Sequence, residues 1–201
     1  MVIWRKRPLI FKPDPKARAN FSAGTLYAID GEAGWIYYGQ HGLDRTIACF
    51  HLRTAELEVP AGMLDLDVMC RITIQRWSIG DALRRGMWRI LGRYSVHESL
   101  ATPRLTVQWP VGTLTVTVWR GGEALYDTRV EDPDIQDLEI MATYEAGHLP
   151  ERLASDFGVE PAAWYVGGPV WRERRVHEEY AKRFPDQPWH LLPSDWVPTD
   201  R

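Results

Sequence analysis

This sequence of 201 residues lacks several features that would assign it to a class at once. It has two cysteines, Cys49 and Cys70, in apolar stretches and without further metal ligands at a suitable spacing. A disulfide between them is the alternative to two buried thiols, and the absence of a secretion signal disfavours it. No apolar run approaches the ~20 residues of a membrane-spanning helix. Residues 1–7 are apolar and then basic, the reverse of a secretory signal. We therefore expect a cytoplasmic protein with two buried thiols and no membrane contact.

The chain also lacks a strong charge and the motifs of common active sites. Its formal net charge of −3 gives no general attraction to nucleic acid. A P-loop, a G-x-G-x-x-G string, an H-E-x-x-H pair and a G-x-S-x-G elbow are all absent, and six histidines are scattered along the sequence. The sequence therefore predicts no cofactor, no metal and no catalytic residue, and nucleic acid is not the expected partner.

Aromatic and β-branched runs between glycines dominate the first two thirds of the chain. Such runs favour strands, because these side chains suit a pleated, half-buried surface. Residues 26–29 and 35–38 flank a glycine-bounded reversal and predict a hairpin, and 105–109 with 114–118 alternate and predict a second. Further strands are predicted at 46–50, 68–74 and 87–94, the last bounded by Gly80 and Gly86. Leu114, Val116 and Val118 should share one buried face.

Helical spacing is clear mainly in the last third. Leu149, Leu153 and Phe157 recur at every fourth position, and 171–184 repeats that spacing. The stretch 132–144 is compatible with a helix start or with a strand. The predicted fold class is α+β, dominated by an antiparallel sheet that is partly curled or forms a small barrel, with helices mainly in the C-terminal third.

The chain is long enough for a real core and predicts three segments. Residues 1–20 form a basic, proline-containing arm, 21–160 form a sheet-rich domain, and 161–201 form a helix with a proline- and tryptophan-rich extension packed on the domain. Ten tryptophans are present. Trp88 and Trp109, in predicted strands, should be core; Trp171, Trp189 and Trp196 are candidates for a groove or a protein contact.

Charge is distributed unevenly along the chain. Residues 123–160 hold eleven acidic residues against two arginines, and 71–93 hold six arginines against one aspartate. These are either solvated faces that complement each other or an acidic surface that docks a basic partner. The candidate partner-binding residues are Glu131, Asp132, Asp134, Asp137, Glu139 and Glu145.

Three strings, in order, resemble a known family. They are G-T-L-Y-A-I at 24–29, W-I-Y-Y-G at 35–39 and G-M-W-R-I-L-G at 86–92. They are similar to the G-D-x-F-A-I-P-L, Y-x-Y-G-R-V and G-x-W-x-I-I-G strings of the immunity protein 26 family of bacterial polymorphic toxin systems. The chain departs from that pattern at three positions: Thr25 replaces an acidic residue, Asp30 a proline and Gln40 a basic residue.

The resemblance spans about 22–160 and implies an α+β protein that inhibits a cognate toxin by stoichiometric binding. It implies no catalytic residues. Two alternatives stay open. One is a nucleic-acid or small-ligand binding module that uses the basic arm, the 71–93 arginines and exposed tryptophans. The other is a hydrolase that pairs His97 or His148 with an acidic neighbour.

Overall fold

A computed structural model describes residues 9–59, 61–158 and 167–199. The first eight residues of the predicted arm and the first six of the predicted extension lie outside this part. The strands are β1 (Thr25–Asp30), β2 (Ile36–His41), β3 (Thr46–Thr54), β4 (Val68–Ile74), β5 (Trp88–Arg93), β6 (Leu105–Gln108), β7 (Thr115–Arg120), β8 (Glu123–Arg129), β9 (Glu139–Ile140) and β10 (Thr143–Tyr144). The α-helices are α1 (Arg76–Arg85), α2 (Leu149–Asp156) and α3 (Pro169–Arg183). Short 3₁₀ helices lie at Glu32–Gly34, Met63–Asp65, Glu98–Leu100, Pro133–Ile135, Ala146–His148 and Pro188–His190.

The strands form two sheets in the part of the chain that the structure describes. One has the order β10-β4-β3-β2-β1-β5 and the other β8-β7-β6-β9. Neighbouring strands are antiparallel, except that the two-residue strands β10 and β9 pair in parallel with β4 and β6. The predicted α+β, antiparallel fold class is confirmed. Both sheets are open within the described residues, so neither forms the small barrel that was one of the predicted forms.

Both predicted hairpins are confirmed. β1 pairs with β2 so that Tyr27 lies opposite Gly39, and β6 pairs with β7 so that Val107 lies opposite Val118. Leu114, Val116 and Val118 are buried together as the alternation predicts. Local periodicity was sufficient here because successive side chains of a strand point to opposite faces.

The chain divides into two compact units. The first contains Met1–Thr102 and Thr143–Phe157, and the second contains Pro103–Ala142 and Gly158–Arg201. This grouping differs from the three segments predicted from the sequence, since 103–142 belongs with the C-terminal residues.

The first unit has a core on each face of its six-stranded sheet. Tyr27 and Ile29 of β1 pack in the cluster that includes residues of α1 and α2. Leu26 and Ala28, which alternate with them, pack in a second cluster that contains Phe50. Burial on both faces explains why β1 and β2 are almost continuously apolar.

Helix α1 was not predicted, and the role assigned to Gly80 was wrong. Gly80 lies inside α1, whose buried Ile79, Ala82 and Leu83 have helical spacing. Gly86 ends the helix with φ +76°, and its N–H bonds to the carbonyls of the last turn, the usual use of glycine at this position. Strand β5 then begins at Trp88.

The two tryptophans predicted as core differ in position. Trp88 is 1% exposed in the core of the first unit, as predicted. Trp109 follows the end of β6 and is only partly buried. Its Nε1 donates to the Thr113 carbonyl at 2.9 Å, so Trp109 closes the turn between β6 and β7.

In the second unit, one face of the four-stranded sheet packs on α3. Val107, Val116 and Val118 form a cluster with Ile135 and with Val170 of α3. The ambiguous stretch 132–144 is a 3₁₀ turn followed by β9 and β10. The Asp132 carboxylate begins that turn by accepting a bond from the Asp134 N–H at 2.9 Å. Within the described residues, no helix has the length and apolar character to cross a bilayer.

Candidate functional site

A pocket of about 270 Å³ lies in the second unit, against α3. The helix contributes Glu173, Val176, His177 and Tyr180, which share one face at positions i, i+3, i+4 and i+7. The 111–113 turn and residues 189–193 with Trp196 complete the lining. Three separate parts of the chain therefore make this pocket.

Aromatic rings form two of its walls. On one side the His177 and Trp196 rings stack, with 6.1 Å between their centroids. Trp109, which is outside the lining, packs on His177 with 4.8 Å between the ring centroids. On the other side, the Tyr180 and His190 rings are 5.1 Å apart, and Trp189 meets His190 edge to face. Val176, next to His177 on the helix, also lines the pocket. The pocket thus presents mainly ring surfaces.

Buried polar contacts hold the C-terminal segment against α3. The Glu178 carboxylate accepts from Trp196 Nε1 at 3.0 Å and from the N–H and hydroxyl of Thr199 at 2.8 and 2.7 Å. Arg174 donates to the Val197 carbonyl at 2.7 Å. Burial alone would raise the pKa of Glu178, but these hydrogen bonds and the charge of Arg175 lower it. The carboxylate stays charged and fixes the wall that Trp196 supplies.

A smaller, basic pocket of about 180 Å³ lies in the first unit. Its lining includes His41, Arg45 and Arg76 beside Phe21. The Arg76 guanidinium lies 4.1 Å from the centroid of the Phe21 ring. Burial lowers the pKa of His41, whose Nδ1 is bonded to the Gly42 carbonyl at 2.9 Å, so its imidazole is mainly neutral at pH 7.

The six predicted partner-binding residues do not lie in one unit. Glu145 belongs to the first unit and the other five to the second. Asp132 caps the 3₁₀ turn, and hydrogen bonds from Thr128 and the Asp134 N–H lower its pKa. Glu131 pairs with Arg129. Glu139 is half-buried in β9, whereas Asp134 and Asp137 are exposed. Glu160, from the same acidic stretch, lies outside the described residues.

Of the six arginines of 71–93, one is buried and five are exposed. Arg71 is buried and binds Asp44. Arg84 and Arg85 pair with Asp81 at 3.8 and 3.4 Å, and Arg93 donates to the Ala23 carbonyl at 3.0 Å. Arg71 therefore does not contribute to an exposed basic surface, whereas the other five arginines are accessible to solvent.

The histidines and cysteines named in the sequence have local roles. His97 Nδ1 lies 2.7 Å from the Ser99 hydroxyl and begins the 98–100 turn, and neither His97 nor His148 lines either pocket. Cys49 and Cys70 are free, buried and opposite each other in β3 and β4. A hydrogen bond with Cys49, with burial, raises the pKa of Cys70, which makes it a poor nucleophile. Among the described residues, no group of three or more His, Cys, Asp or Glu side chains could hold a metal ion.

Sequence reasoning missed Glu173, His177 and Tyr180 as lining residues. Their helical spacing was visible, but it indicates a shared face and not what covers it. Trp189 and Trp196, named as candidates for a groove, do line the pocket, and Trp171 does not.

Comparison of the chain with models of protein families, with curated proteins and with solved structures found no match.

Proposed function

We propose that this chain is an immunity protein, which neutralises a cognate bacterial toxin in the cytoplasm by stoichiometric binding and without catalysis. The observation that supports this proposal most is the arrangement of the three family-like strings. They lie on β1, β2 and β5, and these are consecutive in the order β2-β1-β5. Ala28, in the first string, pairs with Tyr38 of the second and with Arg89 of the third. Strings that are separate in the sequence thus form one continuous piece of sheet, as a shared scaffold requires.

Such a scaffold leaves the toxin contact to the surface around it. Of the six acidic candidates, Asp134 and Asp137 are exposed and lie between β8 and β9 in the second unit. Exposed carboxylates attract a basic protein surface at long range and repel an acidic one. We therefore assign the first contact with a basic toxin surface to these two residues.

The function is tested by co-expression with the toxin encoded by the neighbouring gene. We expect growth to be restored and a one-to-one complex to elute in size-exclusion chromatography. A toxin of unrelated sequence is the control and should kill in the presence of this chain. Killing by the cognate toxin in cells that contain the folded protein would contradict the proposal.

Reversing both exposed charges tests the contact surface alone. The D134K/D137K variant should associate with the toxin about tenfold more slowly at low salt, because electrostatic steering is reversed. Stopped-flow association at several salt concentrations measures this, and the difference should shrink above ~0.5 M salt, where the Debye length falls to a few ångströms. E56K/E58K is the matched control, since both glutamates are exposed in the first unit. Equal association rates for the two variants would contradict the assigned contact surface but would not contradict the immunity function.

A further inference from the structure

The aromatic pocket on α3 has a composition that favours one kind of ligand. Its lining contains Tyr180, Trp189, Trp196 and the two histidines His177 and His190, one carboxylate, Glu173, and no lysine or arginine. A carboxylate and ring faces both attract positive charge, the rings through their quadrupole. We propose that this pocket binds an organic cation, an alkylammonium or guanidinium group that carries apolar carbon. This proposal goes beyond the immunity function and does not depend on it.

Several polar groups at the walls are bonded within the fold, which leaves fewer partners for a neutral polar ligand. Trp196 Nε1 donates to Glu178, and Trp109 Nε1 donates to the Thr113 carbonyl. The Thr113 hydroxyl bonds to the Pro110 and Thr115 carbonyls, each at 2.9 Å. A sugar or an amide would need such groups for its hydrogen bonds. A cation needs only the ring faces and the carboxylate.

The position of Glu173 suits a charge at one end of the pocket. Its side chain is 45% exposed and its Oε1 lies 3.4 Å from Nε2 of His177, so it is near the ring stack but still in contact with solvent. Tyr180 lies two turns further along the same face, roughly 10 Å away along the axis. A cation can therefore meet the carboxylate while its carbon atoms lie over Val176 and the rings.

The rim supplies apolar surface for the rest of such a ligand. Val111 is 92% exposed, Trp189 71%, Leu191 60% and Tyr180 44%. Large apolar side chains concentrated around a concave site indicate a place where something binds. Trp189 stands in the short 3₁₀ helix Pro188–His190 with its ring against His190, so its free face is available for stacking.

The test uses the full chain and two cations of defined chemistry. Choline and Nα-acetyl-arginine methylamide are titrated against ¹⁵N-labelled protein while the indole N–H signals are followed by NMR. We expect saturable shifts of the Trp189 signal, which is identified by its absence from W189A, with dissociation constants in the millimolar range. The neutral isostere of choline, 3,3-dimethyl-1-butanol, should bind about three- to tenfold more weakly.

Paired variants separate the cation site from general effects. E173Q and W189A, the latter followed on the Trp196 signal, should each weaken cation binding about three- to tenfold. E179Q, on the same helix outside the lining, and W77A, an equally exposed tryptophan of α1 at 62%, should leave it unchanged. If only choline binds, the natural ligand is a free small molecule. If only the arginine derivative binds, the ligand is a basic side chain of a protein. Equal binding of the neutral isostere, or no shift with either cation at ~50 mM, overturns the proposal.

Discussion

Replacing Arg71 with methionine is expected to lower the free energy of unfolding by about 3–5 kcal/mol, because the change leaves the partly buried Asp44 carboxylate and two main-chain carbonyls without their donor. Arg71 is 9% exposed. Its guanidinium donates to Asp44 at 2.6 Å, to the hydroxyl of Thr46 at 3.0 Å, and to the carbonyls of Ser99 and Thr102, each at 2.8 Å. One side chain thus ties β4 to the turn before β3 and to the loop after β5.

Chemical denaturation and amide hydrogen exchange of β3 and β4 measure the effect of R71M. R89M is the matched control, because Arg89 lies exposed in β5 of the same sheet. An exposed substitution of this kind should change stability by no more than about 0.5 kcal/mol. A loss for R71M as small as that of R89M would contradict a structural role for the buried arginine.

Acid should weaken the same interaction. Burial alone would raise the pKa of Asp44, but hydrogen bonds from Thr46 and Arg71 and the charge of Arg71 hold it below its ordinary value. A carboxyl whose pKa is lowered by folding stabilises the protein above its unfolded pKa, about 3.9, and loses that contribution as the pH falls through the folded value. The stability difference between the native chain and D44N should therefore shrink below about pH 4.

The arginine also shows where charge counting fails. In the sequence, Arg71 is one of six arginines in a basic run. In the structure Arg71 is buried, whereas Arg93 donates to a main-chain carbonyl. The partners that decide the roles of these two arginines are distant in the sequence. The same holds for the acidic run. The Asp132 carboxylate caps a turn, and Glu131 forms an ion pair with Arg129. Composition finds a charged segment but not the residues that remain free to meet a partner.

The strands were predictable because their signal is local. Alternation in 114–118 and the apolar runs of β1 and β2 report burial directly, and every predicted strand has a counterpart in the structure. Helix α1 was not predicted because it has only ten residues and contains Gly80, which suggests a strand boundary. The pocket could not be predicted from the sequence for a different reason. Its walls are held together by the hydrogen bonds of Glu178 with Trp196 and Thr199, contacts across about twenty residues that no periodicity predicts.

Gly24, which precedes β1, should be more sensitive to substitution than Gly34, which has a similar backbone angle. Gly24 has φ +86°, and a Cβ there would lie 2.2 Å from the Tyr94 carbonyl oxygen, a main-chain atom. The two residues are also joined by a bond from the Tyr94 N–H to the Gly24 carbonyl at 3.0 Å. The close approach of these main-chain segments therefore cannot relax without moving the end of β5 away from β1.

Gly34 is a control that shows the effect of the backbone angle without the close contact. It has φ +85°, but a Cβ there would meet no atom within 4 Å. G34A should therefore cost about 1–2 kcal/mol, the penalty of a left-handed residue with a Cβ. G24A should cost at least about 1–3 kcal/mol more, because it adds a clash that the packed sheet resists. Denaturant unfolding of both variants measures the difference, and equal losses would show that the approach to Tyr94 is not constraining. If the larger loss is found, a glycine is needed at position 24 because the main chains of β1 and β5 must lie this close.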